Sequence, residues 1–289
     1  MSVEAPEVRP QGAPIKGPAA IGVDWHRFFN LTRTLAFTEF KLRFFGSALG
    51  YLWQLMRPLL LFSVLYVVFT HVLKFGSSAK FYPVALLAGI VMFVFLSEST
   101  GGAVTSLVDR ENLVRKVQFP RLVVPLSVVL TGLMNLALNL VVVIVFLLIS
   151  GGSVRWGWLE IPFLVATLAL FAAGLSTLLS ALYVRYRDIK PVWEVVLQML
   201  FYGTPIFYTL PLDDVIRNET IERLMLLNPL AVVLQQFRHA VIDPSSHQSA
   251  ATVAGSWEFL LLPAAILIAL LVYGYWYFNR EAPRIAEDL

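Results

Sequence analysis

Residues 40–58 read FKLRFFGSALGYLWQLMRP. A basic, amphipathic segment runs into Leu49-Gly50-Tyr51-Leu52-Trp53, then through Arg57-Pro58 into a long apolar run. One stretch therefore joins a surface helix, a bend and the mouth of a membrane span. Such a junction suits a gating element better than an inert anchor.

The rest of the chain agrees with a membrane setting. Its 289 residues are 58% hydrophobic and only 14% charged. Soluble domains lie nearer half apolar and about a quarter charged. The mean hydropathy is +0.73. The net charge of +3 gives no argument for a nucleic-acid partner. With no cysteine, disulfides, thiol nucleophiles and thiolate metal sites are excluded. No metal site is expected.

A bilayer core of about 30 Å needs roughly 20 apolar residues as helix. Six stretches meet that need: 52–73, 81–106, 119–149, 159–184, 192–210 and 258–278. They are continuously apolar rather than alternating, which argues against a β-barrel. With the N-terminus inside, sixteen of the 22 Lys and Arg fall on inner segments and six on outer ones. That bias places both termini in the cytoplasm. Residues 1–23 lack the continuous apolar core of a signal peptide and read as a flexible cytoplasmic tail. The expected organisation is that tail, an interface helix over 24–46, a transmembrane domain over 47–280, and a second cytoplasmic tail over 281–289.

Four segments carry possible chemistry. Over 24–46, Arg27, Asn30, Thr34, Thr38 and Lys41 follow helical steps and form a polar stripe. Trp25, Phe28, Phe29, Leu35, Ala36 and Phe40 fill the apolar side, which Arg33, Glu39 and Arg43 interrupt. Such a helix serves either as a surface anchor on anionic lipid or as a contact for a partner and an anionic substrate. The loop from Asp109 to Arg121 predicts a short amphipathic helix stopped by Pro120. Its charges hold topology, or its apolar face docks into a cleft on a partner. In Arg185-Tyr186-Arg187-Asp188-Ile189-Lys190-Pro191, three cations pin the turn to the inner face, and Asp188 pairs locally or caps the next helix.

The connection over 211–257 is too long for a simple hairpin. Ile221–Leu227 and Leu230–His239 are short apolar segments separated by Asn228-Pro229. Neither is long enough to cross. They read as a re-entrant helical hairpin entering from outside, or as a small external cap.

Within the spans, Glu98 in Ser97-Glu98-Ser99-Thr100 is the notable ionisable group. A charge at that depth is a functional hypothesis by default. Asn135, Asn139 and Gln198 are suited to helix–helix hydrogen bonding. Tyr51, Trp53, Tyr66, Phe69, Phe201, Tyr202, Phe207 and Tyr208 gather on the first and fifth stretches. They serve an interfacial belt, or a path whose ring faces pack against sugars. No GxxxxGK[ST] loop is present, so energy from ATP must come through another polypeptide. No repeated carboxylate pair supports a proton-coupled carrier, and no HExxH or GxSxG supports a membrane protease or lipase.

These pieces, in this order, resemble a family. Arg43, Leu49-Gly50-Tyr51-Leu52-Trp53 and Pro58 are followed by Glu111-Asn112-Leu113-Val114 with Phe119-Pro120. Arg185-Tyr186-Arg187-Asp188, Thr204-Pro205-Ile206-Phe207 and Asn228-Pro229-Leu230 complete the set. Over roughly residues 24–280 the chain resembles permease subunits of type-2 ABC exporters, in the polysaccharide and polyol-phosphate branch that includes O-antigen, capsule, teichoic-acid and galactan exporters.

The resemblance implies an all-α membrane protein with six transmembrane helices, an N-terminal interface or gate helix and a re-entrant hairpin between spans five and six. It implies a homodimer with two ABC ATPase subunits, which bind the ATP and Mg, in the bacterial cytoplasmic (inner) membrane. No cofactor is expected in this chain, which would not itself be an enzyme. The substrate would be a lipid-linked glycan, such as a polyprenyl-diphosphate polysaccharide or a teichoic-acid-like polymer. Glu111, Asn112, Leu113, Arg115, Phe119 and Pro120 would couple to the ATPase. The substrate head group is assigned to Arg33, Lys41, Arg43 and Arg57 by their place at the inner mouth. Trp53, Tyr66, Phe201, Tyr202, Phe207 and Tyr208 would line the path, and Asn228 and Pro229 would set the hairpin. A drug or lipid exporter permease of the same superfamily is the nearest alternative. A membrane-embedded lipid- or glycan-modifying enzyme is the next, although no acid–base cluster at one membrane face supports it.

Overall fold

The computed structural model describes residues 24–44, 50–72, 81–112, 119–210 and 219–282. The two tails, Leu113, Arg115 and most of the predicted loop helix lie outside them. Every regular element among the described residues is helical. In chain order these are α1 (Trp25–Phe44), α2 (Tyr51–Val67), α3 (Tyr82–Asp109), α4 (Val123–Ile149) and α5 (Ile161–Arg185). Then come α6 (Ile189–Gly203), α7 (Glu219–Leu226), α8 (Pro229–Phe237), α9 (Ala250–Ala254) and α10 (Leu261–Glu281).

Five helical stretches are long and apolar enough to cross a membrane: Leu52–Val72, Tyr82–Asp109, Val123–Ile149, Trp156–Arg185 and Glu258–Glu281. They coincide closely with five of the six expected stretches. The sixth, 192–210, holds the 15-residue helix α6, which stops at Gly203. At 1.5 Å per residue that is roughly 22 Å, short of a ~30 Å core. The cause is local. Pro205 disfavours helical backbone at Thr204, which is extended at φ −92°, ψ 142°. Residues 204–210 continue without regular structure.

α3 is the central element. Of its most apolar window 78% is buried, against 6% for α2 and 11% for α10. α4 and α5 pack along α3, α10 packs on α5, and α1 lies against α4. Lipid tails are as apolar as leucine, so close packing and hydrogen bonds must hold these helices together. Small residues permit that approach. A Cβ on Gly132 of α4 would fall 2.2 Å from Ser99 Oγ, and one on Gly274 of α10 would fall 2.8 Å from the Gly174 carbonyl of α5. Trp193 Nε1 of α6 donates to Thr100 Oγ1 of α3 at 3.0 Å. Asn139 donates to the Asn135 carbonyl on its own helix at 2.9 Å, so it adds no bond between helices there.

Gly50 has φ 45° and ψ −124°, a conformation that a side chain disfavours. Proline at position 58 lies inside α2, where it removes one backbone donor.

α1 buries a narrower face than its composition suggests. Phe28, Thr32 and Ala36 are buried, whereas Trp25, Phe29 and Phe37 are exposed. The predicted polar stripe of Arg27, Asn30, Thr34, Thr38 and Lys41 is exposed throughout. A second core at this end joins Phe28 to Phe119, Leu122, Val184 and Phe278.

Candidate functional site

Three places bring polar side chains together. The first is an open cleft of about 760 Å³ between α2, α3 and α6. Arg57 and Leu61 line one side, Phe93, Val94, Ser97 and Glu98 the floor, and Glu194, Leu197, Gln198, Phe201 and Tyr202 the other side. Glu98 is the meeting point of three helices. Its Oε1 lies 3.3 Å from Arg57 Nη1. Its Oε2 accepts from Gln54 Nε2 at 3.2 Å and lies 3.6 Å from Arg43 Nη1 of α1. The arginines remain substantially exposed, at 45% for Arg43 and 66% for Arg57, so both can reach an incoming anion.

The four predicted head-group cations therefore separate into two pairs. Arg43 and Arg57 converge at the cleft. Arg33 and Lys41 line a shallow groove on α1 with Asn30, Thr34, Phe37 and Thr38, and the Arg33 guanidinium lies 5.5 Å from the Phe37 ring centre.

The aromatics form a ladder from the cleft toward the opposite end of the bundle. Phe201 is 4.8 Å from Phe93, 5.4 Å from Tyr202 and 4.9 Å from Phe207 between ring centres. Phe207 stacks on Phe69 at 5.0 Å. Tyr202 is 70% exposed and Trp53 53%, while Phe207 is buried. Tyr66 stacks on Phe62 at 5.6 Å, and the Tyr208 hydroxyl reaches the Tyr202 carbonyl at 3.5 Å.

The second place is the junction of α1, α3 and α4. Arg110, one residue beyond α3, pairs with Glu39 of α1. The same guanidinium donates to Ser127 of α4 at 3.3 Å. Burial pushes the Glu39 carboxyl above its ordinary range, against the opposing pull of Arg110 and Arg43. Thr131 of α4 donates to the Ala36 carbonyl at 3.2 Å, closing the contact with α1. Glu111 and Asn112 extend this helical end, Glu111 half-buried and Asn112 exposed. Phe119 and Pro120 are buried where the chain re-enters. Below them Arg121 donates to the Ala282 carbonyl at the end of α10.

The third place is the cluster formed by α7, α8, α9 and their joints. Asn228 Oδ1 accepts from the Leu230 amide at 3.0 Å, and its Nδ2 donates to Thr204 Oγ1 at 3.0 Å. Asn228 thus caps α8 and ties it to the end of α6, with Pro229 at the first helical position. Arg238, in the short apolar segment Leu230–His239, is 1% exposed. It donates to the Ile206 and Tyr208 carbonyls at 2.9 and 3.0 Å, satisfying backbone that the non-helical stretch leaves unpaired. Asp243 accepts from Arg155 at 3.0 Å and from the Ser245 and Ser246 hydroxyls at 2.7 and 2.9 Å. Burial raises the Asp243 pKa, but those hydrogen bonds prevail and bring it to about 2. Burial beside Arg238 lowers His247 to about 4.

At the short turn, Arg187 lies over the Tyr183 ring and Arg185 over the Tyr186 ring, at 5.1 and 5.5 Å. Asp188 begins α6, yet its side chain accepts no capping bond. Sequence reasoning missed Gln54 and Glu194 altogether. Gln54 reaches Glu98 and Glu194 lines the cleft, and the spacing of Glu194 one turn ahead of Gln198 was the one signal available for it.

Residues 30–242 match the family described as ABC-2 type transporter, and the chain belongs to that family. It is 31% identical over 265 residues to the O-antigen export system permease protein RfbA of Myxococcus xanthus, covering 91% of this chain and 97% of that one. To a protein of the same description from Klebsiella pneumoniae it is 28% identical over 263 residues, covering 90% and 95%. These findings agree with the resemblance drawn from the motifs. The protein is a multi-pass membrane permease, and membership of this family implies an ATPase partner.

Proposed function

We propose that the chain is the permease subunit of an ATP-driven exporter that moves a lipid-linked polysaccharide across the bacterial cytoplasmic membrane. The relatives' described role in O-antigen export supports this reading. The observation that carries it is the cleft, where two arginines and an aromatic ladder meet on one side of the bundle. Guanidinium groups suit a diphosphate, and ring faces suit a sliding sugar chain.

Two copies would face each other across α2 and α6. Both helices expose apolar residues, among them Leu60, Val64 and Val67 on α2 and Val192, Val195 and Met199 on α6. In this reading α1 lies in the inner interface, and both termini are cytoplasmic. The fifth of the six crossings is α6 extended by 204–210, and α7 with α8 forms the re-entrant hairpin. Two ATPase subunits bind ATP and Mg and dock near Glu111 and Asn112. The permease itself performs no covalent chemistry.

The test is co-purification with the cognate ATPase, followed by export of a radiolabelled lipid-linked glycan into proteoliposomes. ATP-dependent glycan movement is the expected result. A complex that hydrolyses ATP and moves no glycan would shift the reading to a drug or lipid substrate. No ATPase association would overturn it.

A further inference from the structure

Glu98 occupies the arginines that an anionic head group would need. It sits in α3, the most buried helix, yet its side chain is 20% exposed and faces the cleft. Arg43 comes from the last turn of α1, and Arg57 from the second turn of α2. One carboxylate therefore ties the α1–α2 corner to the fixed centre of the bundle.

The geometry of this tie is loose. Arg57 offers a single nitrogen at 3.3 Å, and Arg43 a single nitrogen at 3.6 Å. Each pair meets through one nitrogen rather than as the two-pronged fork that makes arginine–carboxylate pairs strong. The mostly solvated guanidinium groups weaken it further, because exposed pairs contribute only about 0.2–1 kcal/mol each. A diphosphate brings at least two negative charges and more acceptor oxygens than a carboxylate. At the same arginines it has the electrostatic advantage.

We propose that Glu98 is an internal counter-anion that locks the α1–α2 corner to α3, and that a diphosphate group entering the cleft displaces it and unlocks that corner. The inference rests on the head-group reading of Arg43 and Arg57. Substrate arrival would then be coupled to freedom of α1, which the Glu39–Arg110 pair also tethers at the ATPase-facing end. Gln54 stays with Glu98 after displacement. Its amide donates to the carboxylate at 3.2 Å and offsets the charge left without its arginines.

The experiment uses the full-length chain in complex with its ATPase, in nanodiscs of uncharged lipid. Binding of farnesyl diphosphate is measured for wild type, E98Q, E98D, and R43Q with R57Q. Inorganic diphosphate is the second probe, and separates recognition of the phosphates from recognition of a lipid chain. The lock predicts that E98Q binds farnesyl diphosphate about two- to thirtyfold more tightly, from the loss of two exposed pairs. E98D keeps the charge on a shorter stem, and should move the same way by a smaller factor. It also supplies the reading should E98Q fold poorly.

If the arginine variant binds more weakly than wild type while E98Q and E98D bind equally or more weakly, Glu98 orients the arginines. The lock is then overturned, with the head-group reading intact. If no variant alters the binding of either probe, the arginines do not receive the head group, and both readings fall.

Discussion

Glu39 on α1 and Arg110 at the end of α3 form an ion pair across 71 residues of sequence. The side chains are 24% and 22% exposed, so the pair is neither fully solvated nor fully buried. Arg110 immediately precedes Glu111-Asn112, and Glu39 lies one turn before Arg43. A displacement at this end of α3 would reach α1 through this contact.

R110Q is expected to lower ATP-driven export several-fold while the complex still assembles. It leaves a half-buried carboxylate without its partner, whereas E39Q with R110Q removes both charges and should recover part of the loss. A double-mutant cycle on thermal unfolding should give a coupling energy of about 1 kcal/mol. Additive effects would deny the pair any coupling role.

The bend at Gly50 requires glycine. Gly50→Ala should destabilise the α1–α2 corner by about 1–3 kcal/mol and depress export, because φ 45° with ψ −124° strains any side chain. Gly101→Ala is the control. Nothing lies within 4 Å of its would-be Cβ, and alanine is the better helix former by about 1 kcal/mol. Thermal unfolding of the two variants should move in opposite directions.

Trp53 and Tyr202 present exposed rings on the two helices that flank the cleft. Trp53→Ala and Tyr202→Ala should slow glycan movement at least several-fold, with ATPase assembly retained. Wild-type export by both variants would remove them from the path.

The cluster of α7, α8 and α9 should be sensitive to acid. His247 is held at about 4, below its ordinary 6.5, so the unfolded segment takes up a proton that the folded one refuses. Stability contributed there is present above about pH 6.5 and is lost as pH falls toward 4. Asp243 adds a second loss between its ordinary value of 3.8 and about 2, where its hydrogen-bonded carboxylate finally protonates. Hydrogen exchange over residues 238–254 should accelerate as pH falls from 7 to 5, after correction for the intrinsic rate, and His247→Phe should flatten that dependence.

Asn228→Ala removes both the cap of α8 and the bond to Thr204. A loss of about 1–2 kcal/mol is expected, with Asn228→Asp retaining the cap but not the amide donor. Comparing the two variants by thermal unfolding separates the two contributions.

The sequence by itself determined the class of protein, five of the long helices and the break at Asn228-Pro229. All of these depend on local rules: run length against bilayer thickness and the donor that proline lacks. It also marked Glu98 as unusual, since an ionisable group within an apolar run is costly wherever it lies. Only the tertiary structure decided what Glu98 does. Its partners Arg57 and Gln54 lie 41 and 44 residues away, and α1 brings in Arg43 from farther still. The tertiary structure likewise divided Arg33 and Lys41 from Arg43 and Arg57, although all four lie within 25 residues of one another. It also gave Arg238 its role as a buried donor to the 204–210 backbone. The physical reason is common to all three cases. Hydropathy and periodicity report on a residue's own segment, whereas a charge acquires its role from whatever packing brings within about 4 Å, where Coulomb attraction and desolvation decide the outcome.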